Sequence, residues 1–404
     1  MSAPSGERFP LFRLLILAGA IFVSVSSEFL PTGLLPDIAE GLQVSESRVG
    51  LLVSLFAFTV VVSTAPLTLL TRRFSRKWLL VVLLGVFAIA NVAAAVAPTY
   101  ELLAGARILG GLAHGLFWAV ASPYIALLVD PTQLARAVSV TTGGGAFAFI
   151  FGVPLTAAIG HALGWRLAFA VMAGLVVVFA VLTVIFLPPV EHRVPTQFTA
   201  TGSIVVPAKD RSVFALAIVA VTVLLIATGH NLFYTYIAPW SIAVAGVPAD
   251  LVSLLLLFYG VAGGLGVVIA GLFGDRFPRL VLNLMAVSLV VCIVLTSLLA
   301  RGLVPAIVVM MLWGASFGGL PAMFHTRALH SASARIRDLS GAVVTTAFNS
   351  AIGLGALLGG VVLDELGIAV IPWVAAAVVS VGVVWVLATD RARIAAHPGD
   401  GRRG

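Results

Sequence analysis

Twelve apolar runs, each long enough to cross the hydrocarbon core of a bilayer as a helix, constrain this chain more than any other feature. At 1.5 Å of rise per residue a span needs about 20 residues. Such runs fall at approximately 11–36, 49–71, 78–97, 101–128, 137–160, 167–187, 213–239, 251–272, 280–300, 303–324, 339–362 and 368–388. The spans have to be helical, since lipid offers no partner to the free edge of an open sheet. Composition agrees: 61% of the 404 residues are hydrophobic and 10% are charged, more apolar surface than one soluble core can bury. The fold class expected is all-α integral membrane, with twelve transmembrane helices.

The formal charge of +7 does not point to nucleic acid, because the basic residues sit in short connections rather than along one face. With the N-terminus placed inside, 19 of the 23 Arg and Lys residues fall on inner segments; Arg48, Arg166 and Arg301 fall outside and Arg107 within a span. That asymmetry predicts cytoplasmic ends for the chain. The single Cys292 lies in an apolar run, so a disulfide framework and a thiolate metal site are both excluded. Arg13 followed by Leu14 to Val25 and small residues imitates a cleaved signal peptide. A match further along the chain argues that this segment is kept as a span.

The match joins Glu28-Phe29-Leu30-Pro31 through Pro36 to Asn231-Leu232-Phe233-Tyr234 through Pro239, an offset of 203 residues. The same offset sets Arg73-Phe74-Ser75-Arg76 on Arg276-Phe277-Pro278-Arg279, Gly111 and Gly115 on Gly314 and Gly318, Gly152 on Gly355, and Leu163-Gly164 on Leu366-Gly367. The chain is written twice. The halves expected are a six-helix bundle over 1–187 and another over 213–390, joined by a Pro- and Thr-rich cytoplasmic linker over 188–212 and followed by a cytoplasmic tail over 391–404. Parallel repeats of this kind imply a rocker-type transporter with its substrate site near the midplane.

Glu28 is the one carboxylate well inside an apolar run, and only the first copy of the repeat keeps it. An ionised side chain there costs at least about 2.5–3.5 kcal/mol on the insertion scale, so it must face protein or water. It is the candidate proton-coupling group; the alternative is a carboxyl held permanently to fix helix packing. Arg107 keeps its charge in proteins, so it either biases a neighbouring group or locks onto backbone carbonyls or onto Glu28 itself. His114, two helical turns beyond Arg107, shares its face and suits proton relay or a sugar hydroxyl, or else plain packing. Trp118 and Trp313 offer faces for a ring substrate if they are not core aromatics. His230, Asn231, Tyr234 and Tyr236 make span seven the most polar of the second half. Asn231 and Tyr234 share a face that suits hydroxyl-rich or amide ligands, with Asn349 of span eleven as a further neutral candidate.

The residues resemble the major facilitator superfamily, in its twelve-span drug and sugar efflux branch, over essentially the whole chain. Gly271-Leu272-Phe273-Gly274-Asp275-Arg276-Phe277-Pro278-Arg279 looks like the superfamily's inner-loop signature. Its partner Leu70-Thr71-Arg72-Arg73-Phe74-Ser75-Arg76-Lys77 carries Arg72 where the acid is expected. Arg107-Ile108-Leu109-Gly110-Gly111 resembles the span-four motif linked to proton transfer. Gly152-Val153-Pro154 is similar to the antiporter Gly-Pro motif with one residue inserted. Glu28 to Pro36 looks like the first-span motif of bacterial sugar, nucleoside and amphenicol exporters.

The resemblance implies two pseudo-symmetric bundles that export a small neutral or weakly polar molecule in exchange for protons. Arg73, Arg76, Asp275, Arg276, Arg279, Gly152 and Pro154 would then serve gating, in a bacterial inner membrane with both termini cytoplasmic. The partners expected are a small-molecule substrate, protons and lipid, with no nucleic acid, no cofactor and no metal, in a monomer. Proton-coupled uptake by the same fold is the alternative. An intramembrane enzyme is a distant one, because no HExxH and no second membrane acid accompany Glu28.

Overall fold

The computed structural model describes residues 9–189, 211–333 and 336–396. All but the ends of the expected linker lie outside them, as do the tail from residue 397 and Arg8, Arg193, Lys209, Arg335, Arg402 and Arg403. Among the described residues twelve helices are long and apolar enough to cross a membrane, and no strand occurs. Spans one to six run Leu11–Gly33, Glu46–Thr71, Arg76–Ala95, Tyr100–Leu128, Arg136–Leu163 and Trp165–Phe186. Spans seven to twelve run Ser212–Tyr234, Ala249–Phe273, Pro278–Leu299, Leu303–Ser331, Leu339–Leu366 and Ile368–Asp390. Large apolar side chains such as Val62, Leu70, Phe214 and Val304 are left exposed on the spans, as a lipid-facing surface requires.

The chain forms two compact units, one of residues 1–44 and 55–203, the other of residues 45–54 and 204–404. Ser45–Ser54, the first turns of span two, belong to the second unit, where Ser54 Oγ donates to the Gly353 carbonyl at 2.8 Å. In the first unit span one packs on spans five and six, and span three on spans four and six. In the second, span seven packs on eleven and twelve, and span nine on ten and twelve.

Each pairing in one unit has its counterpart at the same place in the other. The repeat reaches individual contacts. A methyl group on Gly111 would meet the Phe56 carbonyl, and one on Gly314 would meet the Tyr259 carbonyl, 203 residues further along in both members. Gly115 against Val60 and Gly318 against Gly263 repeat the relation one turn on. Spans two and four, and spans eight and ten, touch backbone to backbone because these positions have no side chain to hold them apart.

Prolines shape the helices that line the first unit's interior. Pro31 lies inside span one, and because it has no N–H, the Ser27 carbonyl four residues earlier has no helical donor. Span one ends at Gly33, and a short helix over Leu35–Leu42 begins with Pro36 in its first turn. Span seven likewise ends at Tyr234, before a short helix over Ile237–Ala243 that contains Pro239. In span five Pro154 removes the donor to the Ile150 carbonyl and crowds it. The helix answers with a π-turn at Ala148–Gly152.

Span one is buried along 83% of its most apolar stretch, against 28% to 56% for the other eleven. Polar groups on it therefore meet protein.

Candidate functional site

The first unit encloses a polar cluster drawn from spans one, three and four. Glu28 is 5% exposed and Arg107 3%. The Arg107 guanidinium does not clasp the Glu28 carboxylate. Its Nη1 donates to the Ser27 carbonyl at 2.9 Å and its Nη2 to the Glu28 carbonyl at 2.7 Å. Pro31 explains the first of these bonds, since it leaves the Ser27 oxygen open. A lock on backbone carbonyls, one of the roles the sequence allows Arg107, is present in this geometry. Its charge also lies 4.3 Å from the centre of the Phe56 ring, a cation–π contact.

His114 stands between the two faces of this cluster. Its Nδ1 is 2.8 Å from Ser24 Oγ, and its Nε2 is 3.4 Å from Glu28 Oε2 and accepts from the Trp118 indole N–H at 3.0 Å. Span three contributes Asn91, whose Oδ1 accepts from Ser27 Oγ at 2.6 Å while its amide N–H donates to the Phe87 carbonyl. A carboxyl, a guanidinium and an imidazole are thus brought together in an apolar interior, the guanidinium and the imidazole each held by named neighbours. Trp118 is partly exposed, so one member of the cluster reaches its edge.

Span five closes the cluster from the side. A side chain on Gly152 would run into Ser26 Oγ, so this glycine lets the helix lie against span one two residues from Glu28. Pro154 is buried beside it.

The second unit is built differently at the equivalent positions. Asn231 replaces Glu28, and its amide turns back onto its own helix, donating to the Ala227 carbonyl at 2.8 Å. Phe317 replaces His114 and stacks on His230. His230 Nδ1 accepts from the Trp313 indole N–H at 3.2 Å, and Tyr234 and Tyr259 also stack against its ring. Trp313, Tyr234 and His230 are all buried. Tyr236 donates its hydroxyl to the Ala356 carbonyl at 2.9 Å. Asn349 is half-buried, with its amide on the Thr345 carbonyl one turn back.

The connections named for gating divide by exposure. Arg73, Asp275, Arg276 and Arg279 are exposed, whereas Arg76 is buried and Lys77 donates to the Val184 carbonyl at 2.8 Å. In the second unit the buried charge is elsewhere: Arg327 makes two bonds to Asp390, at 2.6 and 3.3 Å.

Ser24, Ser27, Asn91, Tyr259, Phe317 and the Arg327–Asp390 pair were not singled out by sequence reasoning. Ser24 stands four residues before Glu28, and Asn91 is the lone amide of its span, so two of them carried a signal.

The family model described as Major Facilitator Superfamily matches residues 17–356. The chain belongs to the major facilitator superfamily. Its relatives include a protein named "Probable sugar efflux transporter" from Mannheimia succiniciproducens, 30% identical over 384 residues and matched over 94% of both chains. A protein of the same name from Helicobacter acinonychis is 28% identical over 382 residues, covering 94% of this chain and 96% of the relative. Among solved structures, the nucleoside transporter NupG aligns with a TM-score of 0.74 at 16% identity, over 94% of this chain and 99% of its own. A bacterial homologue of the human lysosomal transporter Spinster, inward-facing and occupied, aligns at 0.75 and 14% identity over 96% and 98%. At such identities these superfamily structures speak to the fold alone. Family and fold are those of multi-pass membrane transporters.

Proposed function

We propose that this protein is a proton-coupled antiporter that exports a small neutral or weakly polar molecule, with a sugar as the first substrate class to test. The observation that carries the coupling is Glu28, a carboxyl 5% exposed in an apolar unit, in contact with an imidazole. Holding a permanent charge there is costly, and a group that gains and loses a proton as it meets the two aqueous sides makes use of that cost. Export and sugar are supported by the names of the relatives matched over nearly the whole chain. The hydroxyl and ring groups of Tyr234, Tyr259, Trp313 and His230 in the second unit suit a hydroxyl-rich ring. Asn231, Asn349, Trp118 and His114 are the remaining candidates for contact with substrate.

In this reading protons enter at Glu28 from outside, the neutral carboxyl permits the return to the inward-facing state, and proton release inside accompanies substrate loading. Arg107 holds the carbonyls of Ser27 and Glu28 and so fixes the backbone that carries the carboxyl. The exposed Arg73, Asp275, Arg276 and Arg279, with the buried Arg76, act as latches on the cytoplasmic side, and Gly152 and Pro154 shape span five for the motion. The distribution of Arg and Lys supports cytoplasmic termini in this reading, which has the protein work as a monomer in a bacterial inner membrane.

The test is transport in proteoliposomes by wild type and Glu28→Gln, with a panel of glycosides and nucleosides. Glu28→Gln is expected to keep equilibrative exchange and to lose accumulation driven by a pH gradient. Gradient-driven accumulation that survives in Glu28→Gln would refute the coupling role.

A further inference from the structure

Trp118 and Glu28 aim at the same atom. The Trp118 indole Nε1 lies 3.0 Å from His114 Nε2, and Glu28 Oε2 lies 3.4 Å from it. A ring nitrogen of histidine offers either one lone pair or one hydrogen, and an indole N–H can only donate. With Trp118 donating, Nε2 is bare, the ring hydrogen sits on Nδ1, and it is donated to Ser24 Oγ at 2.8 Å. Glu28 Oε2 then faces a nitrogen whose lone pair is already engaged.

A proton held between these two groups cannot coexist with the indole bond. Carried on Glu28 Oε2, the oxygen that faces His114, it makes an O–H whose acceptor at 3.4 Å is the Nε2 lone pair. Carried by His114, it makes an Nε2–H that points to Glu28 and turns away the indole hydrogen. We propose that the transported proton and the Trp118 indole compete for His114 Nε2, so that His114 is the second seat of the proton and Trp118 is released when the proton arrives. This rests on the proton-coupling reading above and adds to it how protonation is communicated. Trp118 is partly exposed and lies one turn beyond His114 on span four, so the released ring carries the signal toward the edge of the cluster.

The surroundings leave few other groups to respond to pH. Arg107 faces the pair from span four and is held by the Ser27 and Glu28 carbonyls. Spans two and three present the Phe56 and Phe87 rings to His114, and Asn91 to Ser27. Span five sets Phe149 against Phe29 and Gly152 against Ser26. Apart from Arg107, which keeps its charge, none of these side chains is ionisable.

The test uses the full chain labelled with 5-fluorotryptophan, the Trp118 resonance being assigned among the seven tryptophans by its loss in Trp118→Phe. In wild type this resonance is expected to move with pH, in His114→Gln to stay fixed, and in Glu28→Gln, where the imidazolium loses its carboxylate neighbour, to move only at lower pH. As a second measurement, Trp118→Phe removes the competitor, so the proton binds more readily and the pH of half-maximal gradient-driven transport rises by about half to one unit. A Trp118 resonance that titrates equally in His114→Gln overturns the proposal, as does an unmoved midpoint in Trp118→Phe. If Glu28→Gln abolishes driven transport while Trp118→Phe keeps the wild-type midpoint, the coupling reading stands and the competition is refuted. If Glu28→Gln still accumulates substrate, both fall.

Discussion

Pro31 and Arg107 are 76 residues apart, yet one carbonyl makes them a pair. Replacing Arg107 with Met removes two charged donors, at 2.9 and 2.7 Å, and the contact with Phe56. It also removes a buried cation, whose desolvation offsets much of that loss, so the single substitution has no simple expected size. A double-mutant cycle with Pro31→Ala isolates the part that does. In wild type the Ser27 carbonyl has no helical donor, and losing Arg107 leaves it buried and unpaired, which costs about 1–3 kcal/mol. In the Pro31→Ala background the residue 31 N–H covers that oxygen, while the Phe56 contact and the desolvation change are nearly the same in both backgrounds and cancel.

Arg107→Met is therefore expected to destabilise the Pro31→Ala protein by about 1–3 kcal/mol less than it destabilises wild type. SDS-titration unfolding in mixed micelles, followed by tryptophan fluorescence for the four proteins, measures this. Additivity to within about 0.5 kcal/mol would refute the reasoning, for it would mean that Arg107 does not serve the oxygen that Pro31 frees.

The glycine contacts give a controlled comparison. Gly111→Ala and Gly314→Ala each place a methyl on a carbonyl of the neighbouring helix and should cost about 1–3 kcal/mol, seen as lowered thermal stability in detergent. Gly105→Ala meets nothing within 4 Å and should stabilise by up to about 1 kcal/mol through helix propensity. For the second unit's ion pair, Asp390→Asn leaves Arg327 without its charge partner. It should cost up to about 3 kcal/mol, whereas Arg327→Met with Asp390→Leu should come close to neutral in the same scan.

The span count, the repeat and its glycines were legible because they depend on local rules: the length of an apolar run, and the absence of a side chain where two helices meet. The cluster around Glu28 was legible only in part. The cost of a carboxylate in lipid singles out Glu28 from composition alone, and helical spacing puts His114 on the face of Arg107. Which atom meets which is a matter of tertiary approach. The Ser24 and Asn91 contacts with this cluster follow from the crossing of spans one, three and four, which no periodicity encodes, whereas Trp118 meets His114 through the i, i+4 spacing of span four. Pro31 was the readable clue to the Arg107 bonds, since a proline within a helix always leaves an acceptor four residues back. In span seven the polar residues were visible, but not that Asn231 turns onto its own helix or that Phe317 covers His230.

The π-turn of span five has a consequence for which deletions its helix tolerates. Gly144 and Gly152 both lie against span one, at Ala18 and Ser26. Eight residues on a regular α-helix rotate the chain about 80° off the starting face, whereas seven return it to within about 20°. The wide turn at Ala148–Gly152 absorbs one residue, so the two glycines meet the same neighbour. Pro154, with no N–H to close a regular turn, keeps the wide turn in place. Removing one residue between Ala148 and Gly152 together with Pro154→Ala is therefore the deletion this helix is best prepared to accept.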